Sequence, residues 1–251
     1  MGAIPSVAPL DVALLIALVG AYIWYVRGDR SGRAPADRIA SYRRWMRRAP
    51  LAFGASAVAA LLVASRWDAI EVLPPEFAPL IPPARQIAGF GGNVLHLKIA
   101  VLAGFACGAV IGLGIQWWRA RQGKRQLMSG KFAALLPRTP GETGWTAALG
   151  ITAGVVEELF FRLALPLFVA RVSGDALLGM ALATALFAYA HRYQGWAGVA
   201  ASALVGVTLT ILYLATSQLW FAMLVHALLN LNALVLRPLL VPVSSSAASR
   251  S

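Results

Sequence analysis

The chain has 251 residues, of which 59% are hydrophobic and only 13% are charged. Soluble domains are typically about 45–50% apolar and about 25% charged, so the composition excludes an ordinary soluble protein and predicts an integral membrane protein. A net charge of +12 would indicate nucleic-acid binding in a soluble protein, but here the basic residues lie mostly between apolar runs. The single cysteine, Cys107, excludes a disulfide framework and any multi-cysteine metal site.

Seven apolar runs are candidates for membrane-spanning helices, which need about 20 residues to cross a bilayer. They lie at residues 7–26, 50–65, 94–118, 144–171, 176–192, 195–215 and 218–236. Backbone polar groups in hydrocarbon must be paired within a helix or a closed barrel, and these runs lack the alternation of barrel strands. We therefore predict an all-α, polytopic transmembrane bundle of about seven spans. The first run has no basic segment before it and no cleavage site after it, so no signal peptide is expected.

The basic residues predict the orientation of the bundle. The first connection carries eight arginines against two aspartates, and the connection at 119–143 carries six basic residues against Glu142. The second connection has two arginines against three acids. Because basic short loops stay in the cytoplasm, we expect the amino terminus outside and the carboxyl terminus inside, in the inner (plasma) membrane.

Within the first connection, apolar residues recur at helical spacing among the arginines, at Ile39, Tyr42, Trp45 and Met46. This pattern is typical of an interfacial helix that binds anionic headgroups. A solvated basic loop that only fixes topology is the alternative. In either case the basic residues are explained without nucleic acid, and no nucleic-acid partner is expected. The proline-rich stretch 66–93 is predicted to be an irregular external loop.

We interpret residues 1–251 as a single membrane domain. Residues 1–143 supply the first three spans with their basic cytoplasmic loops, residues 144–236 supply the core helices, and 244–251 form a small, polar, disordered tail. Glycines repeat every four residues in two spans, which favours close helix packing. They are Gly104, Gly108 and Gly112 in the third span and Gly150 and Gly154 in the fourth.

Ionisable residues inside a span are the best candidates for chemistry, because each costs about 2.5–3.5 kcal/mol at a helix centre on insertion scales. The apolar runs contain Asp11, His96, Lys98, Glu157, Glu158, Arg162, His191 and His226, together with the polar Asn230. Asp11, His96 and Lys98 lie near span ends, where side chains can reach the headgroups, so we expect them to be structural.

The fourth span holds two adjacent carboxylates and one guanidinium. Glu158 and Arg162 are four residues apart, hence on one helix face and able to pair, whereas Glu157 points about 100° away. We predict that Arg162 neutralises Glu158 and that Glu157 remains the reactive group, with a purely structural ion-pair cluster as the alternative. His226 and Asn230 are also four apart, and the depth of His191 favours a pocket that opens toward the cytoplasm.

A pocket of this composition can hydrolyse a peptide bond. Glu157 with His191 can activate a water molecule, and His226 with Asn230 can donate hydrogen bonds to the oxyanion that forms. In the alternative, Glu157, His191 and His226 bind a zinc ion that holds the attacking water. The sequence lacks the two histidines four apart on one helix that zincin-type sites use, so we favour a metal-free reaction that requires no cofactor.

Three motifs carry a family resemblance: Glu157-Glu158-x-x-x-Arg162, Phe187-x-x-x-His191 and His226-x-x-x-Asn230. In order and spacing they resemble the EExxxR, FxxxH and HxxxN signatures of the CPBP family of intramembrane proteases, which includes CAAX proteases, Abi proteins and the type II CAAX prenyl endopeptidases. The resemblance covers about residues 140–236. It implies that Glu157, His191, His226 and Asn230 are catalytic, that Glu158 and Arg162 support them, and that eight spans are the alternative to seven.

The leading hypothesis is therefore an intramembrane endopeptidase that acts on a membrane-associated peptide or protein, with or without a prenyl group. The second is a non-catalytic membrane protein, such as an immunity factor or scaffold, in which the same residues only stabilise the bundle. Proton-coupled transport is less favoured, because the carboxylates cluster at one level and do not form a relay across the membrane.

Overall fold

The computed structural model describes residues 8–28, 37–89, 92–123 and 136–240. Within these ranges the chain forms eight helices and no strand, which confirms the all-α prediction. The predicted disordered tail at 244–251 lies outside the described residues. We number the helices as α1 (Pro9–Gly28), α2 (Arg38–Val63), α3 (Ile81–Ile87), α4 (Val94–Arg121), α5 (140–173), α6 (Ala176–Ala190), α7 (Trp196–Thr216) and α8 (219–240).

Each of the seven predicted runs coincides with one long helix of the bundle. Among the described residues, five helices are long and apolar enough to cross a membrane: α1, α2, α4, α7 and α8. Of the other two, α5 has the length but carries two glutamates and an arginine near its middle, and α6 is apolar but has only 15 residues. The protein is thus a multi-pass membrane protein.

The basic segment after α1 is helical and continuous with the second span. Asp37 caps α2, since its side chain accepts a hydrogen bond from the backbone N–H of Ala40. Tyr42 is buried, and the indole N–H of Trp45 donates a hydrogen bond to the hydroxyl of Tyr25 in α1 at 2.9 Å. The predicted amphipathic helix therefore exists, but it is the first part of α2 and packs on α1, so the solvated-loop alternative does not describe residues 38–49.

The prediction of an irregular loop at 66–93 is wrong for the described part of that stretch. It contains two short 3₁₀ helices, Trp67–Ile70 and Pro75–Leu80, followed by α3. Phe77 and Ala84 are buried in the core of the bundle. Prolines predict a loop because they interrupt the interior of a helix. Several of these prolines instead lie in the first turn of a helical segment, where the missing N–H removes no hydrogen bond.

Ion pairs fix which helix ends lie together. At one end of the bundle, Arg171 near the end of α5 pairs with Asp11 in α1 (2.9 Å) and with Glu76 (3.2 Å). At the opposite end, Arg38 at the start of α2 pairs with Glu142 near the start of α5 at 2.8 Å. Helix α1 therefore runs antiparallel to α5, whereas α2 runs parallel to α5.

The core surrounds the middle of α5. All six residues of its π-helical turn, Leu159–Ala164, are buried, as are the six residues that follow, 165–170. Phe53 of α2 packs on Phe160 and Phe161 of this turn, with ring centroids 5.0 Å apart in both cases. Glu157, Glu158 and Arg162, in this part of α5, are therefore enclosed by other helices and are shielded from lipid.

Only one of the two glycine repeats packs against another described helix. A Cβ at Gly154 would lie 2.7 Å from the backbone nitrogen of Ala227, and one at Gly150 would lie 3.2 Å from Cβ of Asn230, so these glycines let α8 approach α5 closely. In contrast, Gly104, Gly108 and Gly112 of α4 have no described atom within 4 Å of their ideal Cβ positions. The predicted packing role of that repeat is wrong within the described chain, because small residues permit an approach but do not supply a partner.

This contrast gives a stability prediction. The substitution Gly154→Ala should destabilise the protein by about 1–3 kcal/mol, because the new methyl group meets backbone that cannot rotate away. The matched substitution Gly108→Ala should be neutral or slightly stabilising, since alanine favours the helix and nothing opposes the methyl group. Thermal unfolding of both variants in detergent measures the difference, and equal shifts in melting temperature would contradict the proposed packing.

Candidate active site

The site begins at the end of the regular part of α5. Glu157 and Glu158 close the segment Pro140–Glu158, and Arg162 lies in the π-helical turn that follows. Glu157 is 5% exposed, and Glu158 and Arg162 are completely buried. The predicted pair is present, with Nε of Arg162 3.2 Å from Oε2 of Glu158. π-turns inside α-helices are frequently found at functional sites.

His226 of α8 contacts both glutamates. Its Nδ1 lies 2.7 Å from Oε1 of Glu158, and its Nε2 lies 3.9 Å from Oε2 of Glu157. Glu158 also faces the guanidinium of Arg162, and a carboxylate oxygen accepts, so His226 donates from Nδ1. This hydrogen bond fixes the imidazole plane and directs Nε2 toward Glu157.

Glu157 is left with an unpaired oxygen. Its Oε2 is buried and forms no hydrogen bond within the described part of the chain. A separation of 3.9 Å from His226 is too long for a direct hydrogen bond, but one water molecule can contact both atoms. A buried carboxylate oxygen without a partner indicates a place for water or a ligand.

His191 joins the site through Phe187. It follows the last residue of α6, is partly buried, and has its Nδ1 2.8 Å from the backbone oxygen of Phe187. Since a carbonyl only accepts, His191 donates this hydrogen bond from Nδ1. The ring of Phe187 lies 4.7 Å from the ring of His191 and 5.7 Å from that of His226. One aromatic side chain thus contacts both histidines.

Arg162 is held by groups from two further helices. Its Cζ lies 4.3 Å from the ring centroid of Phe187, a cation–π contact, and its Nη2 donates to the backbone oxygen of Gly206 in α7 at 3.3 Å. A Cβ at Gly206 would lie 3.2 Å from the ring of Phe187. Gly206 was missed by the sequence interpretation, because a glycine that acts through its carbonyl leaves no polar signal in an apolar span.

Asn230 lies one turn beyond His226 on α8, as its spacing predicts. It is partly buried, and its side-chain amide donates to the backbone oxygen of Gly150 in α5 at 3.2 Å. The structure therefore brings Glu157, Glu158, Arg162 and His226 into one cluster, to which His191 is joined by Phe187. The contact observed for Glu157 is with His226, whereas the sequence interpretation paired it with His191.

The three ionisable residues assigned to span ends are placed at the periphery. Asp11 is buried against Arg171, Lys98 lies 4.6 Å from the ring centroid of Trp220, and His96 is exposed. None of these contacts involves a residue of the buried cluster.

The proposed zinc ligands do not form a ligand set. In the part of the chain that the structure describes, no three His, Cys, Asp or Glu side chains are grouped closely enough to hold one metal ion. The ring of Phe187 lies against both imidazole rings, with centroids 4.7 Å from that of His191 and 5.7 Å from that of His226. Glu157, His191 and His226, as they are arranged, do not fit a zinc ion. A metal-free reaction remains a prediction.

The completely buried ion pair predicts a stability effect. Replacing Glu158 by glutamine should cost about 3–5 kcal/mol, because Arg162 would keep a buried charge without its carboxylate. The double variant Glu158→Gln/Arg162→Met should recover part of that loss by removing the unpaired charge. Chemical denaturation of both variants measures the effect. If the double variant is less stable than Glu158→Gln, or if Glu158→Gln costs nothing, the buried pair does not have the role described.

Comparison with known proteins gives one match. Residues 139–232 match a protein-family model described as Rce1-like, type II CAAX prenyl endopeptidase. No curated protein and no solved structure matches the chain. The matched segment begins at Thr139, the N-cap of α5, and includes every residue of the three motifs. Residues 139–232 are therefore similar to the Rce1-like type II CAAX prenyl endopeptidases, a similarity that is consistent with the CPBP family of intramembrane proteases.

Proposed function

We propose that the protein is an intramembrane endopeptidase that hydrolyses a peptide bond in a membrane-associated peptide or protein. The observation that supports this most is the arrangement of Glu157 and His226, in which a buried carboxylate oxygen without a hydrogen bond lies 3.9 Å from an imidazole nitrogen. The Rce1-like match over residues 139–232 supports the same class of reaction.

In the proposed reaction, a water molecule binds at Oε2 of Glu157. The carboxylate takes a proton from the water as its oxygen attacks the carbonyl carbon of the substrate. The tetrahedral intermediate then collapses, the C–N bond breaks, and Glu157 returns the proton to the leaving nitrogen. The products are a new carboxyl terminus and a new amine, and the reaction requires no cofactor.

The other site residues position the reacting groups. Nε2 of His226 faces Glu157, so a carbonyl carbon attacked at that point places its oxyanion within reach of a protonated His226. His191, whose Nδ1 is held by the backbone oxygen of Phe187, assists Glu157 in orienting the water through Nε2. Asn230 can add a second donor to the oxyanion if its amide exchanges the carbonyl of Gly150 for substrate. Glu158 and Arg162 act through His226 and Phe187 and are positioning residues.

We further propose that substrate reaches the site from the cytoplasmic face or laterally from lipid. His191 is less buried than the glutamates and lies at the helix end shared with Arg38 and Glu142, which we assign to the cytoplasmic side of the inner (plasma) membrane. The basic segments at this end would contact anionic headgroups. In this orientation the amino terminus is outside and the carboxyl terminus inside.

The catalytic assignment predicts that Glu157→Gln lowers the rate of cleavage by about 10²–10⁴-fold, because glutamine cannot accept the proton of the water. The fold should be retained, since the amide has nearly the same shape as the carboxylate. The assay uses the purified full chain in liposomes with membrane-anchored CAAX peptides, prenylated and unprenylated.

Glu71→Gln is the matched control, because Glu71 is exposed and lies outside the site. It should cleave at the wild-type rate. Equal cleavage by Glu157→Gln and wild type would contradict the assignment. A Glu157→Gln protein that unfolds would instead favour the structural role of an immunity factor or scaffold.

A further inference from the structure

A cleft lies between α1 and the basic part of α2, away from the buried cluster. Its volume is about 420 Å³, and its lining comes from five residues of α1 and one residue of α2: Gly20, Ile23, Trp24, Arg27, Gly28 and Arg48. Gly20 and Gly28 are eight residues apart, which corresponds to about 12 Å along the helix. The cleft is therefore elongated, with apolar residues at one end and two arginines at the other.

Arg48 is held in place before any ligand binds. Its Nη2 donates to the backbone oxygen of Trp24 at 2.7 Å, and its Cζ lies 4.3 Å from the ring centroid of Trp24. Gly28 allows this arrangement, since a Cβ at that position would overlap the guanidinium of Arg48. A guanidinium that is already ordered loses less conformational entropy when it binds an anion.

The charge of the cleft is not neutralised by its own residues. No carboxylate lines it, and neither Arg27 nor Arg48 forms an ion pair within residues 8–28, 37–89, 92–123 and 136–240. Two guanidiniums without a carboxylate are suited to a phosphate group, to which arginine donates two hydrogen bonds in parallel.

The opposite end of the cleft is suited to a hydrocarbon chain. Gly20 has no described atom within 4 Å of its ideal Cβ position, and Ile23 is exposed beside it. Trp24, half-exposed between the two ends, is of the residue type that prefers the headgroup level of a bilayer. The order along α1, from apolar groove to indole to arginines, is the order of acyl chain, glycerol region and phosphate in a phospholipid.

We propose that this cleft binds one anionic phospholipid, with its phosphate between Arg27 and Arg48 and an acyl chain along Gly20 and Ile23. Free phosphate would leave the apolar end without a ligand. This site goes beyond the proposed peptidase function and does not depend on it, because none of its residues belongs to the buried cluster.

The test measures how tightly the purified full chain, in nanodiscs of phosphatidylcholine, binds added phosphatidylglycerol, with native mass spectrometry as the readout. Arg27→Gln/Arg48→Gln should weaken binding by about tenfold or more, because two charge-assisted hydrogen-bonding groups are lost. The matched control, Arg44→Gln/Arg47→Gln, removes the same charge from exposed positions of α2 and should change binding less than about twofold. Equal losses in both variants would overturn the proposal in favour of nonspecific attraction to the basic surface.

Two single variants keep the test independent of folding. Arg27→Gln removes a side chain that makes no described ion pair, so it should weaken lipid binding while the melting temperature is unchanged. Gly20→Leu adds a bulky side chain at the apolar end, where a Cβ would have no described atom within 4 Å, and should also weaken binding of phosphatidylglycerol, although the charge is intact. Wild-type binding of phosphatidylglycerol after Gly20→Leu, or displacement of the lipid by an equal concentration of inorganic phosphate, would overturn the lipid assignment.

Discussion

The site depends on the hydrogen bond between Glu158 and His226, which joins α5 to α8 inside the bundle. Glu158 is completely buried and shares its carboxylate between His226 and Arg162. The bond determines which way the imidazole faces, and therefore that Nε2 lies toward Glu157. It can form only because Gly150 and Gly154 let the two helices approach to backbone contact. The close packing of α5 on α8 thus sets the position of His226 relative to Glu157.

The same bond requires that the charge of Arg162 be accommodated in an apolar interior. Glu158 supplies the opposite charge, Phe187 of α6 supplies an aromatic face, and Gly206 of α7 supplies a backbone carbonyl. A buried ion pair is often no more stabilising than well-packed apolar residues would be, because both charges must be removed from water. Its presence here is better explained by the orientation it gives to His226 than by stability. The residues that surround the pair come from four helices, α5, α6, α7 and α8.

The sequence predicted local geometry well and long-range geometry less well. Glu158 and Arg162 pair as expected because helical periodicity alone places residues four apart on one face. Which glutamate His226 contacts depends on the rotation of α8 about its axis, and no local pattern encodes that rotation. Gly206 acts through its backbone, so its residue type gives no signal. The prolines of 66–93 were interpreted as breaks although they begin helical turns, and the glycine repeat of α4 was interpreted as an interface although no described residue packs on it.

The most direct measurement is a double-mutant cycle for the free energy of unfolding, built from Glu158→Gln, His226→Gln and the double variant. If Glu158 orients His226 through the bond described, the two residues should be coupled by about 0.5–3 kcal/mol, as contacting residues of one network are. If the two effects add to within about 0.3 kcal/mol, Glu158 does not hold His226, and the orientation of the imidazole toward Glu157 has another cause or does not exist.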